Sequence, residues 1–76
     1  MASFKVILQG RAETEIRALP FPLRRLVNHK IVSFQREPRP SGCESIGPEG
    51  RCRLVLHGCR ILYKIDDGRR IVTVLA

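Results

Sequence analysis

Two runs of alternating side chains, separated by a short glycine turn, occupy the second half of the chain. The runs cover residues 51–56 and 59–65, and His57-Gly58 lies between them. Because a two-residue turn with glycine joins neighbouring antiparallel strands, the pattern predicts a β-hairpin. The predicted cross-strand pairs are Leu56 with Cys59, Leu54 with Ile61, and Cys52 with Tyr63. Since side chains alternate along a strand, these pairs share one apolar face.

The other face of the same hairpin is predicted to be cationic. It carries the side chains of Arg51, Arg53, Arg60 and Lys64, with Val55 and Leu62 among them. Like charges on neighbouring strands repel, so this cluster does not serve stability. It indicates an anionic partner, and a solvated face with no partner is the alternative interpretation.

The charge of the whole chain favours the same class of partner. Lys and Arg number 14 against 7 Asp and Glu, which gives a formal net charge of +7. Most of these cations are Arg, whose planar guanidinium binds phosphate through two hydrogen bonds. The balance favours phosphate-rich or acidic macromolecules over a small neutral substrate.

The remaining elements complete one small domain, residues 1–76. A strand at residues 4–9 has Phe4, Val6 and Leu8 on one face, and a helix at residues 12–19 buries Ile16 and Leu19. Pro20 and Pro22 open a second helix, whose predicted apolar stripe is Leu23, Leu26, Val27, Ile31 and Phe34. The segment 36–50, rich in Pro and Gly, is predicted to be a loop, and Asp66-Asp67-Gly68 a turn into a strand at residues 69–75. We therefore expect an α+β fold, β-α-α-β-β-β, with an antiparallel four-stranded sheet and both helices on one face.

Several classes of protein are excluded or disfavoured. No apolar run reaches the length of a membrane span, and the start of the chain does not look like a secretory signal. Three cysteines without such a signal indicate reduced thiols and a cytoplasmic location. Cysteine and histidine spacing does not fit a zinc site, so we expect no metal and no cofactor. Cys52, Cys59 and Tyr63 are predicted to pack in the core, Cys43 to lie in the loop where it could be exposed, and His29 to lie at the surface.

The sequence resembles the RelE/ParE toxin superfamily of bacterial type II toxin–antitoxin pairs. Residues 37–43 resemble the P-R-P-x-G-C connector of that family. Residues 50–54, 59–67 and 71–75 resemble its strands, and Arg11-Ala12 and residues 19–25 its helices. The ordered set covers nearly the whole chain and is closer to the RelE branch than to ParE.

The resemblance implies a ribosome-dependent mRNA endoribonuclease that inhibits translation. In such toxins the 2′-hydroxyl attacks the adjacent phosphorus and leaves a 2′,3′-cyclic phosphate. Arg51, Arg53 and Arg60 match the family's basic strand positions and are the predicted catalytic residues. With Lys64 they form the predicted RNA-binding set. The implied partners are a cognate antitoxin, the ribosome and mRNA.

The sequence also departs from the family pattern. Family members usually continue with a Gly-His-Arg segment and an aromatic residue, which the sequence to Ala76 lacks, so we expect impaired cleavage. Cys52 and Cys59 stand where the family often has aromatic residues. Arg cannot act as a base. Histidine is suited to acid–base chemistry, but His57 lies in the hairpin turn, and an ordinary turn residue is the favoured interpretation. A ParE-like inhibitor of DNA gyrase and an inactive remnant that binds an antitoxin are the alternative functions.

Overall fold

One mixed β-sheet and two helices make up residues 3–76, the part of the chain that the computed structural model describes. Met1 and Ala2, within the segment predicted to be no secretory signal, lie outside the described residues. The helices are α1, Gly10–Arg17, and α2, Phe21–Ser33. The strands are β1 Lys5–Leu8, β2 Glu44–Ser45, β3 Arg51–Leu56, β4 Cys59–Asp66 and β5 Ile71–Val74.

The sheet has five strands in the order β1-β5-β4-β3-β2, so the predicted four-stranded antiparallel sheet is wrong in two respects. The strand β2, which pairs antiparallel with β3, lies in the segment predicted to be a loop. The strand β1 is parallel to β5, whereas β3, β4 and β5 form an antiparallel meander. The helices carry the chain from β1 at one edge to β2 at the other. Since β5 is parallel to β1, and β4 and β3 each reverse the direction, β1 and β3 point the same way.

The predicted hairpin between β3 and β4 is confirmed in its register. Leu56 pairs with Cys59, and the other predicted pairs follow along the two strands. His57 and Gly58 have φ values of 49° and 81°, the positive pair that a twist-compatible two-residue turn requires. The next turn is longer than predicted. Asp66 pairs with Ile71, so β5 begins after a four-residue turn, residues 67–70.

The two helices differ from their predictions in bounds and in one buried position. The first helix, α1, begins at Gly10 and ends at Arg17, two residues before each predicted bound, and its buried residue is Ala12. The prolines open α2 as predicted. Leu26, predicted to lie in the apolar stripe, is 46% exposed, whereas its neighbour Val27 is buried. Consecutive helical residues are about 100° apart around the axis, so one of this pair faces the sheet and the other faces solvent.

The core lies between the helices and the inner face of the sheet. Its strand residues include Cys52, Leu54, Ile61 and Tyr63, which confirms the predicted apolar face of the hairpin. Leu56 and Cys59, near the turn, are half-buried, and Leu56 packs against the same cluster. Within residues 3–76 no helix is long and apolar enough to cross a bilayer.

Tyr63 and Phe34 form the centre of this core. Both are fully buried, and their rings stack with centroids 4.3 Å apart and 26° between the planes. The Tyr63 hydroxyl donates a hydrogen bond to the Pro38 carbonyl at 2.8 Å. A buried phenol with an acceptor is satisfied, so Tyr63 ties the segment after α2 to the middle of the sheet.

We expect Tyr63 to stay protonated until the protein unfolds in alkali. Burial raises the pKa of Tyr63 above its ordinary value, because tyrosinate is poorly solvated in the core. Its contribution to stability is therefore complete below about pH 10, where unfolded tyrosine titrates, and declines as the pH rises further. Tyr63 is the only tyrosine and the chain has no Trp, so tyrosinate absorbance reports this residue alone.

The measurement compares tyrosinate absorbance with circular dichroism during one alkaline titration. The two transitions should coincide, and ionisation near pH 10 in a still-folded protein would contradict the expectation. In a Tyr63→Phe control we expect a loss of about 1 kcal/mol of stability at neutral pH, from the missing hydrogen bond.

Candidate nucleic-acid interface

The four predicted site residues lie together on the outer face of β3 and β4. We call this group, Arg51, Arg53, Arg60 and Lys64, the cationic face. Arg51 is paired directly with Lys64, Arg53 with Leu62, and Arg60 with Val55. Arg53 is half-buried and the other three are exposed. The side chains alternate with the buried ones of the hairpin, and this alternation brings the cations together.

The cationic face is open because both helices pack on the opposite side of the sheet. Their buried residues join the core cluster with the inward side chains of the strands. Val55, between the cations, is 57% exposed. Leu62, diagonally across the hairpin from Val55, is half-buried, and its backbone hydrogen-bonds to Leu75 and Ala76. The open surface therefore combines positive charge with apolar contact area.

Glu44 is a neighbour of the cationic face that the sequence did not reveal. It lies on β2 opposite Arg53, and its Oε1 accepts a hydrogen bond from Arg53 Nη2 at 3.3 Å. Arg53 Nε is buried without a hydrogen-bond partner among the described residues. The strand β2 has only two residues and lies in a segment rich in Pro and Gly. No alternation of polar and apolar side chains therefore marks it in the sequence. One signal in the sequence could have located Glu44. It lies a few residues before a cationic strand, at a separation that allows the two segments to pair as a hairpin.

A second ion pair fixes the connector that carried part of the family resemblance. Arg39 Nη1 and Nη2 donate to the Asp67 carboxylate at 3.1 and 2.8 Å. The hydrogen bond with Arg39 lowers the pKa of Asp67, and the same bond raises the pKa of Arg39. The Pro38 carbonyl accepts a hydrogen bond from Tyr63. The Arg39–Asp67 pair therefore attaches the connector at a second point, the β4–β5 turn. The role of Arg39 visible here is structural.

The other residues considered for chemistry lie apart from the cationic face or are buried. His57 is exposed in the hairpin turn, and His29 is exposed on α2. Burial raises the pKa of the Cys52 thiol, which disfavours the reactive thiolate. Cys43 is half-buried against the core, although its loop position allowed exposure. Among the residues described, no group of three or more potential metal ligands comes together.

The comparisons with known proteins identify the fold. No protein-family model matches the sequence, and no curated protein matches it significantly. The toxin–antitoxin complex RelBE2 of Mycobacterium tuberculosis superposes with a TM-score of 0.83 at 23% identity, over 97% of this chain and 94% of that one. The intact E. coli RelBE complex gives a TM-score of 0.81 at 23% identity, over 96% and 92%.

A third solved structure has a somewhat closer sequence. It is a mutant of the E. coli toxin RelE in the free state, with a TM-score of 0.77 at 26% identity, over 97% of this chain and 79% of that one. The chain therefore has the fold of the RelE toxins, in agreement with the sequence resemblance.

Proposed function

We propose that the chain is the toxin of a type II toxin–antitoxin pair and acts on mRNA bound to bacterial ribosomes. The observation that carries the proposal is the cationic face, an open cluster of four cations on a RelE-like sheet. Phosphate contacts from Arg and Lys supply most of the affinity of such a surface for nucleic acid. The solved structures reported above are RelE proteins or RelBE complexes, which supports a RelE-type target over DNA gyrase.

In this mechanism the arginines stabilise charge on the phosphate under attack. The 2′-hydroxyl of the RNA gives up its proton and attacks the adjacent phosphorus. The bond to the 5′-oxygen of the next nucleotide breaks, and that oxygen takes up a proton, which leaves a 2′,3′-cyclic phosphate and a 5′-hydroxyl. Negative charge builds up on the phosphoryl oxygens, where fixed guanidinium donors stabilise it more than in the ground state. Arg53 and Arg60 are assigned this role, and Arg51 and Lys64 position the RNA backbone.

The expected protein partner is a cognate antitoxin. Two of the solved structures are toxin–antitoxin complexes, and the cationic face offers charge beside the exposed apolar side chain of Val55. An acidic amphipathic segment that folds on binding suits such a surface. In this arrangement the antitoxin covers the cationic face or packs beside it, within the bacterial cytoplasm.

Primer extension on an mRNA translated in a bacterial extract tests the proposal. We expect new 5′ ends within ribosome-occupied codons when the protein is added. The variant Arg53→Ala/Arg60→Ala should lower cleavage at least about 100-fold, the usual effect of removing donors to a developing charge. The control Arg24→Ala/Arg25→Ala removes the same charge from α2, on the other side of the sheet, and should retain cleavage.

The outcomes separate the proposed function from its alternatives. Equal loss in both variants would indicate a general charge effect and contradict the assigned roles. If no new ends form but growth arrest and inhibition of gyrase supercoiling persist in the Arg53→Ala/Arg60→Ala variant, the ParE-like alternative is correct. Tight antitoxin binding without toxicity would identify an inactive remnant.

A further inference from the structure

The guanidinium of Arg53 contacts one carboxylate oxygen. Only one of the two N–H donors on that edge of the guanidinium takes part. Of the cationic face, Arg53 is the member that is ion-paired within residues 3–76. Its Nη2 contacts Glu44 Oε1 at 3.3 Å, longer than the distance of about 2.8 Å typical of charge-assisted hydrogen bonds. The pair is therefore weak enough for another anion to replace Glu44.

The second donor on the same edge, Nε, has no partner within residues 3–76. Nη2 and the Nε–H of an arginine point in nearly the same direction and together bind two oxygens of a phosphate. Arg53 Nε is buried and unbonded among the described residues, which is an unfavourable state for a polar atom. An anion that reached both donors would satisfy Nε and replace the long contact to Glu44 at once.

Glu44 is placed so that it can move away. It belongs to β2, a two-residue strand at the edge of the sheet, and its side chain is 60% exposed. Displacing the carboxylate from Arg53 returns it to water without opening the core. The backbone of Arg53, in contrast, is fixed between two strands, because Arg53 pairs with Leu62 on one side and with Glu44 on the other.

We propose that the Nε–Nη2 edge of Arg53 is a phosphate-binding site that Glu44 blocks in the free protein. An RNA phosphate displaces Glu44 and accepts hydrogen bonds from both donors. Glu44 is then an internal competitor that weakens RNA binding in proportion to the strength of its contact with Arg53. The inference rests on the proposed function, because it names the ligand of the cationic face as RNA phosphate.

Fluorescence anisotropy with a labelled, short single-stranded RNA at fixed low salt tests this competition. We expect Glu44→Gln to bind about threefold more tightly than the wild type, as expected from removing one exposed ion pair. The control Glu13→Gln removes the same charge from α1, where Glu13 pairs with the exposed Arg17, and should leave affinity unchanged.

A double variant separates the proposed site from a general effect of charge. Arg53→Lys keeps the positive charge but lacks the two-donor edge, so adding Glu44→Gln to it should give no further gain. A gain that persists in that background overturns the inference, as does unchanged or weaker RNA binding by Glu44→Gln. If the expected affinities are found and no ribosomal cleavage occurs, the nuclease assignment fails and the phosphate site stands.

Discussion

Replacing Phe34 with Ala should lower the free energy of unfolding by about 3 to 5 kcal/mol. Phe34 is fully buried and stacked on Tyr63 at 4.3 Å, so the change leaves a cavity at the centre of the core. At about 0.05 to 0.15 kcal/mol per residue, a domain of 76 residues has about 4 to 11 kcal/mol of stability in total, so the variant should lose a large share of it. Urea denaturation followed by circular dichroism measures the loss.

Two further substitutions keep this expectation testable. Phe34→Leu retains most of the side-chain volume and should fold with a loss of about 1 to 2 kcal/mol. Phe21→Ala is the matched control, because Phe21 is 61% exposed on α2 and its removal should cost less than about 0.5 kcal/mol. Equal losses for Phe21→Ala and Phe34→Ala would contradict the core assignment.

Gly50→Ala should lower the free energy of unfolding by about 3 kcal/mol and disturb the start of the cationic face. Gly50 has a φ of 71°, and a Cβ there would lie 2.5 Å from the backbone oxygen of Ile65. The Gly50 carbonyl accepts the Ile65 amide at 2.9 Å, so β4 cannot move away without breaking that bond. Because Arg51 is the next residue, the shift should also weaken RNA binding.

Gly58→Ala measures the cost of a positive φ alone, without the close contact to the Ile65 backbone that Gly50→Ala introduces. Gly58 has a φ of 81°, but nothing lies within 4 Å of a Cβ built there. We expect a loss of about 1 to 2 kcal/mol, the cost of left-handed backbone for a residue with a Cβ. Chemical denaturation of both variants gives the comparison, and similar losses would mean that contact with Ile65 adds nothing.

The hairpin of β3 and β4 could be predicted from the sequence because its determinants are local. The His57-Gly58 turn sets the register, and alternation then assigns every side chain to a face. That one inference brought Arg51, Arg53, Arg60 and Lys64 to the same surface, where the structure places them.

What the sequence could not show depends on pairing between distant segments. Whether β1 runs parallel or antiparallel to β5 depends on how the helices cross the sheet. The alternation of the four residues of β1 does not predict it. The strand β2 is too short to show a period, so Glu44 was hidden with it. Arg39 and Asp67, 28 residues apart, meet only after the sheet has formed. Leu26 was misplaced because apolar spacing does not show which side of a stripe meets the sheet: Leu26 lies about 100° around the helix from the buried Val27 and is 46% exposed.

The parallel pairing of β1 with β5 has a consequence for the order in which the sheet can form. Ribosomes synthesise β1 first and β5 last among the strands, yet Lys5 pairs with Ile71 and β5 lies between β1 and β4. The β3–β4 hairpin joins neighbouring segments and can form without β5, but β1 has no strand to join until β5 is available. The sheet therefore closes only after its last strand has emerged, which delays the complete fold until synthesis of this domain is finished.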